Sequence, residues 1–274
     1  MSNLQVRIIS AVVALVGLLS VYHFFGNNGV ILLSLVIVLI GAWEFSKICL
    51  RPLYKSRKIT ALYMGICSVL LPLFSFNAEL TLPVFASSLC VFFTGSLWLS
   101  RERIKIHALQ SLLALAATGF IYCTLFPSFA FRILLMDDGF KIFFMFLVAV
   151  FMGDIFAYTF GRLFGKHRLM PALSPKKTVE GAIGGTVGSL ASTVGVMYLL
   201  NLSFPPLAIA AIAFATSAVA QSGDLFESLL KRVAGVKDSG KIMPGHGGVL
   251  DRLDGIYFGA PVFYTGLYLI EYFL

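Results

Sequence analysis

The sequence predicts an all-α fold, a polytopic bundle of about nine transmembrane helices with its N-terminus on the cytoplasmic side. Three observations carry that expectation. Of 274 residues, 58% are hydrophobic and only 12% are charged, where a soluble domain has about 45–50% apolar and about 25% charged residues; the mean hydropathy is +0.91. Apolar stretches recur near residues 8–25, 29–46, 60–76, 80–99, 108–127, 140–161, 181–201, 206–226 and 253–273. Each approaches the roughly 20 residues that cross a hydrocarbon core about 30 Å thick. On that segmentation the basic residues fall almost wholly on one side. A soluble fold is excluded, and the length leaves no room for a separate soluble domain.

The first stretch is not expected to be a cleaved leader. Its apolar run is long, no small-x-small site precedes Asn27-Asn28, and a second stretch follows at once. With the N-terminus inside, the inner segments hold Arg7, then Lys47, Arg51, Lys55, Arg57 and Lys58, then Arg101, Arg103 and Lys105. They also hold Arg162, Lys166, Arg168, Lys176 and Lys177, then Lys231, Arg232, Lys237, Lys241 and Arg252. That is 19 of the 21 Lys and Arg, with only Arg132 and Lys141 outside, the asymmetry of the positive-inside rule. The net charge of +8 is therefore a topology signal in contact with anionic lipid, and no nucleic-acid partner is expected. An odd number of spans puts Leu274 on the far side. Cys49, Cys67, Cys90 and Cys123 lack CxxC spacing and read as small hydrophobes within helices.

The two halves differ in kind. In 1–141 polar residues sit in connections, and the helices carry little beyond Leu, Val, Ile, Phe and an occasional Ser or Glu44, as a membrane scaffold would. In 142–274 polar residues move into helix ends and into inner loops at 162–180 and 227–252, as expected of catalytic membrane helices. Residues 151–254 hold ten of the 21 basic and seven of the 13 acidic residues.

Asp154 lies inside a span and shares a helical face with Tyr158 and Arg162; an ionisable group there is expensive and points to function. Ser174, Lys176 and Lys177 precede a helix that Thr178 could cap. They place a hydroxyl and two cations beside free N–H groups, which suits phosphate. Gly181, Gly184, Gly185 and Gly188 follow in small-xxx-small spacing, and close helix packing is the better reading of them. Asp224 and Glu227 are three apart at the inner end of one span, and Asp251 and Asp254 are three apart at the inner start of the next, so each pair shares a face. Four converging carboxylates would repel unless a cation or the nearby Lys and Arg neutralise them. Hard oxygen ligands suit Mg²⁺, bound through one or two carboxylates plus substrate phosphates. Lys231, Arg232, Lys237, Lys241 and Arg252 would hold the remaining phosphate charge. His246, before two glycines that allow close backbone approach, either contacts phosphate or braces its loop.

The run Ser228-x2-Lys231-Arg232-x4-Lys237-Asp238-x-Gly240-x3-Pro244-x-His246-Gly247-Gly248-x2-Asp251-Arg252-x-Asp254 resembles the signature of phosphatidate cytidylyltransferases, the CDP-diacylglycerol synthases. Gly153-Asp154-x2-Ala-Tyr158-x2-Gly161-Arg162-x2-Gly165-Lys166, Ser174-Pro175-Lys176-Lys177-Thr178-x-Glu180-Gly181 and Gln221-x-Gly223-Asp224-x2-Glu227-Ser228 are similar to further motifs of that family. Met243 departs from the aliphatic or Phe residue that usually precedes the Pro, and keeps its apolar character. The resemblance covers about the last 120 residues; the first half agrees only in hydropathy.

It implies the reaction CTP + phosphatidate → CDP-diacylglycerol + pyrophosphate, in a homodimeric multi-pass enzyme of the cell membrane whose site faces the cytoplasm. It also implies dependence on Mg²⁺, leaving open one divalent ion or two and a monovalent cation such as K⁺. By that analogy Asp224 and Asp251 take the metal, with Asp254 and Asp154 supporting. Lys176, Lys177 and Lys237 take the CTP phosphates, and Arg232 and Arg252 the lipid phosphate. Two kinds of rival stand against it, a transporter and another membrane enzyme of nucleotide and lipid. An ion-coupled transporter would use intramembrane Asp and Gly-broken helices, but near the midplane. A CTP-dependent lipid kinase would release CDP instead of pyrophosphate. A CDP-alcohol phosphotransferase would carry Asp-Gly-x2-Ala-Arg-x8-Gly-x3-Asp-x3-Asp, a spacing missing from this chain.

Overall fold

A computed structural model describes residues 3–53, 57–99, 105–242 and 247–273, with side chains from residue 12 onward. The helices are α1 (Asn3–Phe45), α2 (Arg57–Phe76), α3 (Thr81–Leu99), α4 (Ile106–Phe120), α5 (Phe126–Leu134), α6 (Gly139–Phe164), α7 (Val179–Leu199), α8 (Pro206–Val233) and α9 (Leu250–Phe273). Single π-helical turns follow α1 (Ser46–Leu50) and α4 (Ile121–Leu125). One short antiparallel hairpin, β1 (Arg168–Met170) and β2 (Ser174–Thr178), interrupts the helices. The protein is a helical, polytopic membrane protein.

Among the described residues seven helices are long and apolar enough to cross a membrane, against the nine segments read from sequence. Two physical features account for the difference. The apolar run Val12–Leu50 is continuous over 39 residues, which at 1.5 Å per residue is about 58 Å, close to twice a hydrocarbon core. It bends at Gly26, whose φ of 61° and ψ of −157° are non-helical and are open to a residue without Cβ. The other feature is α9, a 24-residue helix that opens on Asp251, Arg252 and Asp254 and is not among the seven. Large apolar side chains such as Leu32, Ile183 and Leu207 are exposed along the helices, as a lipid-facing surface requires.

The chain forms two compact units. The first joins Met1–Phe131 to Leu230–Leu253, and the second joins Arg132–Leu229 to Asp254–Leu274. Segment 230–253 is thus packed with the N-terminal helices. The core of the first unit is aromatic: Tyr63 stacks on Phe120 at 5.0 Å, Phe92 meets Phe120 edge-on at 5.4 Å, and Phe45 lies 6.2 Å from Tyr63. Such pairs contribute about 0.5–1.5 kcal/mol beyond their burial. All four rings are fully buried, and through Phe45 they anchor the C-terminal end of α1. The four cysteines are free thiols, Cys49, Cys67 and Cys123 buried and Cys90 exposed, in keeping with a packing role.

In the second unit α6 lies against α7 at van der Waals distance of the backbones. A Cβ on Gly185 would sit 2.7 Å from Ala157 Cβ and from the Gly153 carbonyl oxygen, and one on Gly181 would sit 2.7 Å from the Ala157 carbonyl oxygen. The glycine run is therefore a packing device. Ser189 Oγ locks the pair by donating to the Ala149 carbonyl at 2.7 Å.

Candidate active site

The hairpin and the start of α7 are built by local chemistry. Thr178 adopts an extended conformation (φ −125°, ψ 154°) and its Oγ1 accepts from Gly181 N at 3.2 Å, the cap that its position predicts. Glu180, in the first turn of α7, accepts from the backbone N–H groups of Lys166 (3.0 Å) and His167 (3.2 Å) and meets His167 Nδ1 at 2.6 Å. The carboxylate thereby ties the short segment between α6 and β1 to the helix N-terminus. Ser174 is half-buried on β2, Lys176 is exposed, and Lys177 turns inward.

Lys177 joins two of the sequence motifs. Its Nζ lies 2.6 Å from Asp224 Oδ2 on α8 and 3.4 Å from the Gln221 carbonyl oxygen. Gln221 in turn donates from Nε2 to the Ala182 carbonyl at 3.3 Å and to Thr186 Oγ1 at 3.2 Å. The hairpin, α7 and α8 thus share one polar junction. Beside it a groove of about 350 Å³ runs between α7 and α8, lined by Ile183, Val187, Phe214, Ala218 and Leu225. On α9, Asp254 approaches the same stretch of α8: a Cβ on Gly223 would sit 2.5 Å from the Asp254 carbonyl oxygen. Glu227, one turn beyond Asp224, is buried, and Asp154 is exposed on α6.

In the other unit Asp251, in the first turn of α9, accepts four hydrogen bonds. Oδ1 takes Lys231 Nζ at 2.6 Å, while Oδ2 takes Ser239 N at 2.9 Å, Ser239 Oγ at 2.9 Å and Gly248 N at 2.8 Å. Burial works to raise its carboxyl, but the bonds from Lys231, Gly248 and Ser239 outweigh it and hold the group below the ordinary aspartate value. Arg232, Lys237 and Arg252 are exposed around this cluster. His246 lies outside the described residues.

Asp224 and Asp251 therefore belong to different compact units, each neutralised by a lysine of its own unit. The sequence showed which acids and bases to expect but not this pairing. Ser239, which bonds Asp251 through both N and Oγ, was missed, as was Glu44. The donor set suits a divalent cation unevenly. Asp224 uses one oxygen for Lys177 and its side chain is 37% exposed, leaving a face that a hydrated Mg²⁺ can meet. Asp251 has both oxygens engaged. Among the described residues no three His, Cys, Asp or Glu are grouped to hold a metal, so any cation here relies on substrate phosphate and water for its remaining ligands.

Helices long and apolar enough to cross a membrane, with lysine–carboxylate pairs at their ends, define a membrane-embedded protein that gathers opposite charges at its helix termini. The chain belongs to the cytidylyltransferase family, whose sequence profile matches residues 5–270. It is 48% identical over 121 residues to a phosphatidate cytidylyltransferase of Staphylococcus saprophyticus, covering 44% of this chain and 46% of that protein. It is also 42% identical over 159 residues to a phosphatidate cytidylyltransferase of Thermotoga maritima, covering 55% of this chain and 57% of that one. The chain spans about half the length of the curated relatives it matches.

Proposed function

We propose that this protein transfers the cytidylyl group of CTP to phosphatidate, giving CDP-diacylglycerol and pyrophosphate, on the cytoplasmic face of a cell membrane. The observation that carries the reading is the Lys177–Asp224 pair, which ties the Ser-Pro-Lys-Lys-Thr hairpin to the Gln-Ser-Gly-Asp helix in a chain of the cytidylyltransferase family. Counting Val12–Leu50 as two spans about Gly26, and α9 as the last, yields nine. With 19 of the 21 basic residues then on one side, the N-terminus and the site face the cytoplasm, where CTP is made.

The chemistry asks little of the protein beyond positioning. An oxygen of the phosphatidate phosphate attacks the α-phosphorus of CTP, the bond from that phosphorus to the bridging oxygen breaks, and pyrophosphate leaves with the electron pair. The nucleophile is already an anion, so charge neutralisation and alignment dominate. Lys176 and Lys177 receive the nucleotide phosphates, with Lys177 exchanging Asp224 for a phosphate oxygen. Lys237 takes the leaving pyrophosphate, and Arg232 and Arg252 the lipid phosphate. Asp224 would hold a divalent cation, with Asp254 and Asp154 supporting, and the family resemblance proposes Asp251 as a further metal ligand. Such an ion supplies charge neutralisation at the transferred phosphoryl group. The acyl chains stay in the bilayer while the head group enters the site.

The test is pyrophosphate release from CTP by purified protein in phosphatidate micelles with Mg²⁺. Release that depends on phosphatidate, and that falls about 100-fold or more in Asp224→Asn as expected for loss of a charge aligned on the reacting phosphate, supports the reading. Release without lipid, or ion flux into liposomes without CTP, contradicts it.

A further inference from the structure

Glu44 was read from sequence as part of a scaffold, yet it is 1% exposed at the end of α1 and faces the signature segment. Its Oε2 accepts from Leu250 N at 2.8 Å and from Ser239 Oγ at 3.2 Å. Leu250 opens α9, so Glu44 supplies an anion to one of the N–H groups that the helix start leaves without an intrahelical partner. Ser239 Oγ also lies 2.9 Å from Asp251 Oδ2. A hydroxyl carries one hydrogen, so this single proton is shared between Glu44 and Asp251, and the two carboxylates are held on either side of one serine.

Two signature glycines are explained by the same side chain. A Cβ on Gly248 would sit 2.5 Å from Glu44 Oε2 and 2.6 Å from Gly240 N, and a Cβ on Gly240 would overlap Glu44 Oε1. The backbone at both positions passes directly over the carboxylate. Its burial has a cost that these bonds offset. The anchoring of neighbouring Phe45 against Tyr63 and Tyr122 leaves Glu44 little freedom to move away.

We infer that Glu44 is a positioning residue for the signature segment: it sets the start of α9 and, through Ser239, the orientation of Asp251. It acts through the segment and not on substrate. The claim about turnover rests on the proposed cytidylyl transfer, whereas the claim about position does not. The N-terminal half of the chain thereby shapes the site.

The test compares Glu44→Ala, Glu44→Gln and Ser239→Ala in the full-length, detergent-solubilised protein by backbone hydrogen exchange and by steady-state kinetics. The Gln amide oxygen can still accept from Leu250 N and Ser239 Oγ; Ala cannot. Glu44→Ala is expected to speed exchange about tenfold or more in peptides covering 237–252, with the peptides of 258–273 unchanged, because only the local opening becomes easier. Its kcat falls about tenfold or more with the KM for CTP within about threefold, the pattern of a displaced transition-state contact. Glu44→Gln stays near wild type in both. Ser239→Ala loosens 237–252 to an intermediate degree and keeps the assay informative if Glu44→Ala does not fold. Exchange at 237–252 unchanged in Glu44→Ala, or unchanged in Ser239→Ala should that variant alone be folded, overturns the inference. So does a Gln variant as damaged as the Ala variant. If the wild type makes no CDP-lipid, the reaction is wrong, and the exchange data still decide the role of Glu44.

Discussion

The two lysine–carboxylate pairs differ in burial, and that difference sets a quantitative expectation. The side chains of Lys231 and Asp251 are 14% and 7% exposed, against 25% and 37% for Lys177 and Asp224. The distances are equal, 2.6 Å in each case, so geometry alone would rank the pairs together. Solvent separates them. A hydrogen bond to a charged group contributes about 1.5–3 kcal/mol when shielded, and exposed ion pairs contribute about 0.2–1 kcal/mol. Double-mutant cycles built from Lys231→Met with Asp251→Asn, and from Lys177→Met with Asp224→Asn, isolate the pairwise coupling. Asn at 251 keeps an oxygen to accept from Ser239 and Gly248, so the cycle reports chiefly the lysine contact. Coupling near 2 kcal/mol is expected at Lys231–Asp251 and below about 1 kcal/mol at Lys177–Asp224, read from reversible unfolding in mixed micelles. Equal couplings, or the larger value at Lys177–Asp224, would refute the argument from burial. The weaker resting pair is the one whose lysine passes to a nucleotide phosphate in the proposed mechanism.

Other expectations follow from the same geometry. Gly185→Ala places a methyl 2.7 Å from Ala157 Cβ and should destabilise the protein by about 1–3 kcal/mol. Gly195, with nothing within 4 Å of its Cβ position, should gain up to about 1 kcal/mol on the same change from helix propensity; unfolding midpoints of the two variants compare them. The lowered carboxyl of Asp251 contributes stability that is present above about pH 4, the unfolded aspartate value, and is lost as pH falls through the folded value. An acid titration of wild type against Asp251→Asn should show the difference between them shrinking only at the acid end. Charge reversal at Lys237, which is exposed, should cut turnover severely with an unchanged unfolding midpoint; near-normal turnover removes it from the site.

The helices were legible because apolar runs near 20 residues long have few other uses, and the cap at Thr178 because its hydroxyl stands just before the Gly-rich helix. The hairpin was not: Ser174–Thr178 is five residues without alternation, and Glu180, which gathers the N–H groups of Lys166 and His167 at its base, lies outside both strands. Composition pointed to acids neutralised by lysines at the inner helix ends, but the choice of Lys177 for Asp224 and Lys231 for Asp251 is tertiary. Glu44 was the least legible. A lone acid in an apolar run is a signal in itself, yet its partners Ser239 and Leu250 lie 195 and 206 residues away along the chain. No local pattern connects them.

The central claim is that the α-phosphorus of CTP ends on the lipid. Purified protein in phosphatidate micelles with Mg²⁺ should be given CTP labelled at the α-phosphate in one reaction and at the γ-phosphate in another. Cytidylyl transfer places the α label in the lipid fraction and leaves the γ label in pyrophosphate. Lipid carrying the γ label, with CDP released, would contradict it and identify a kinase.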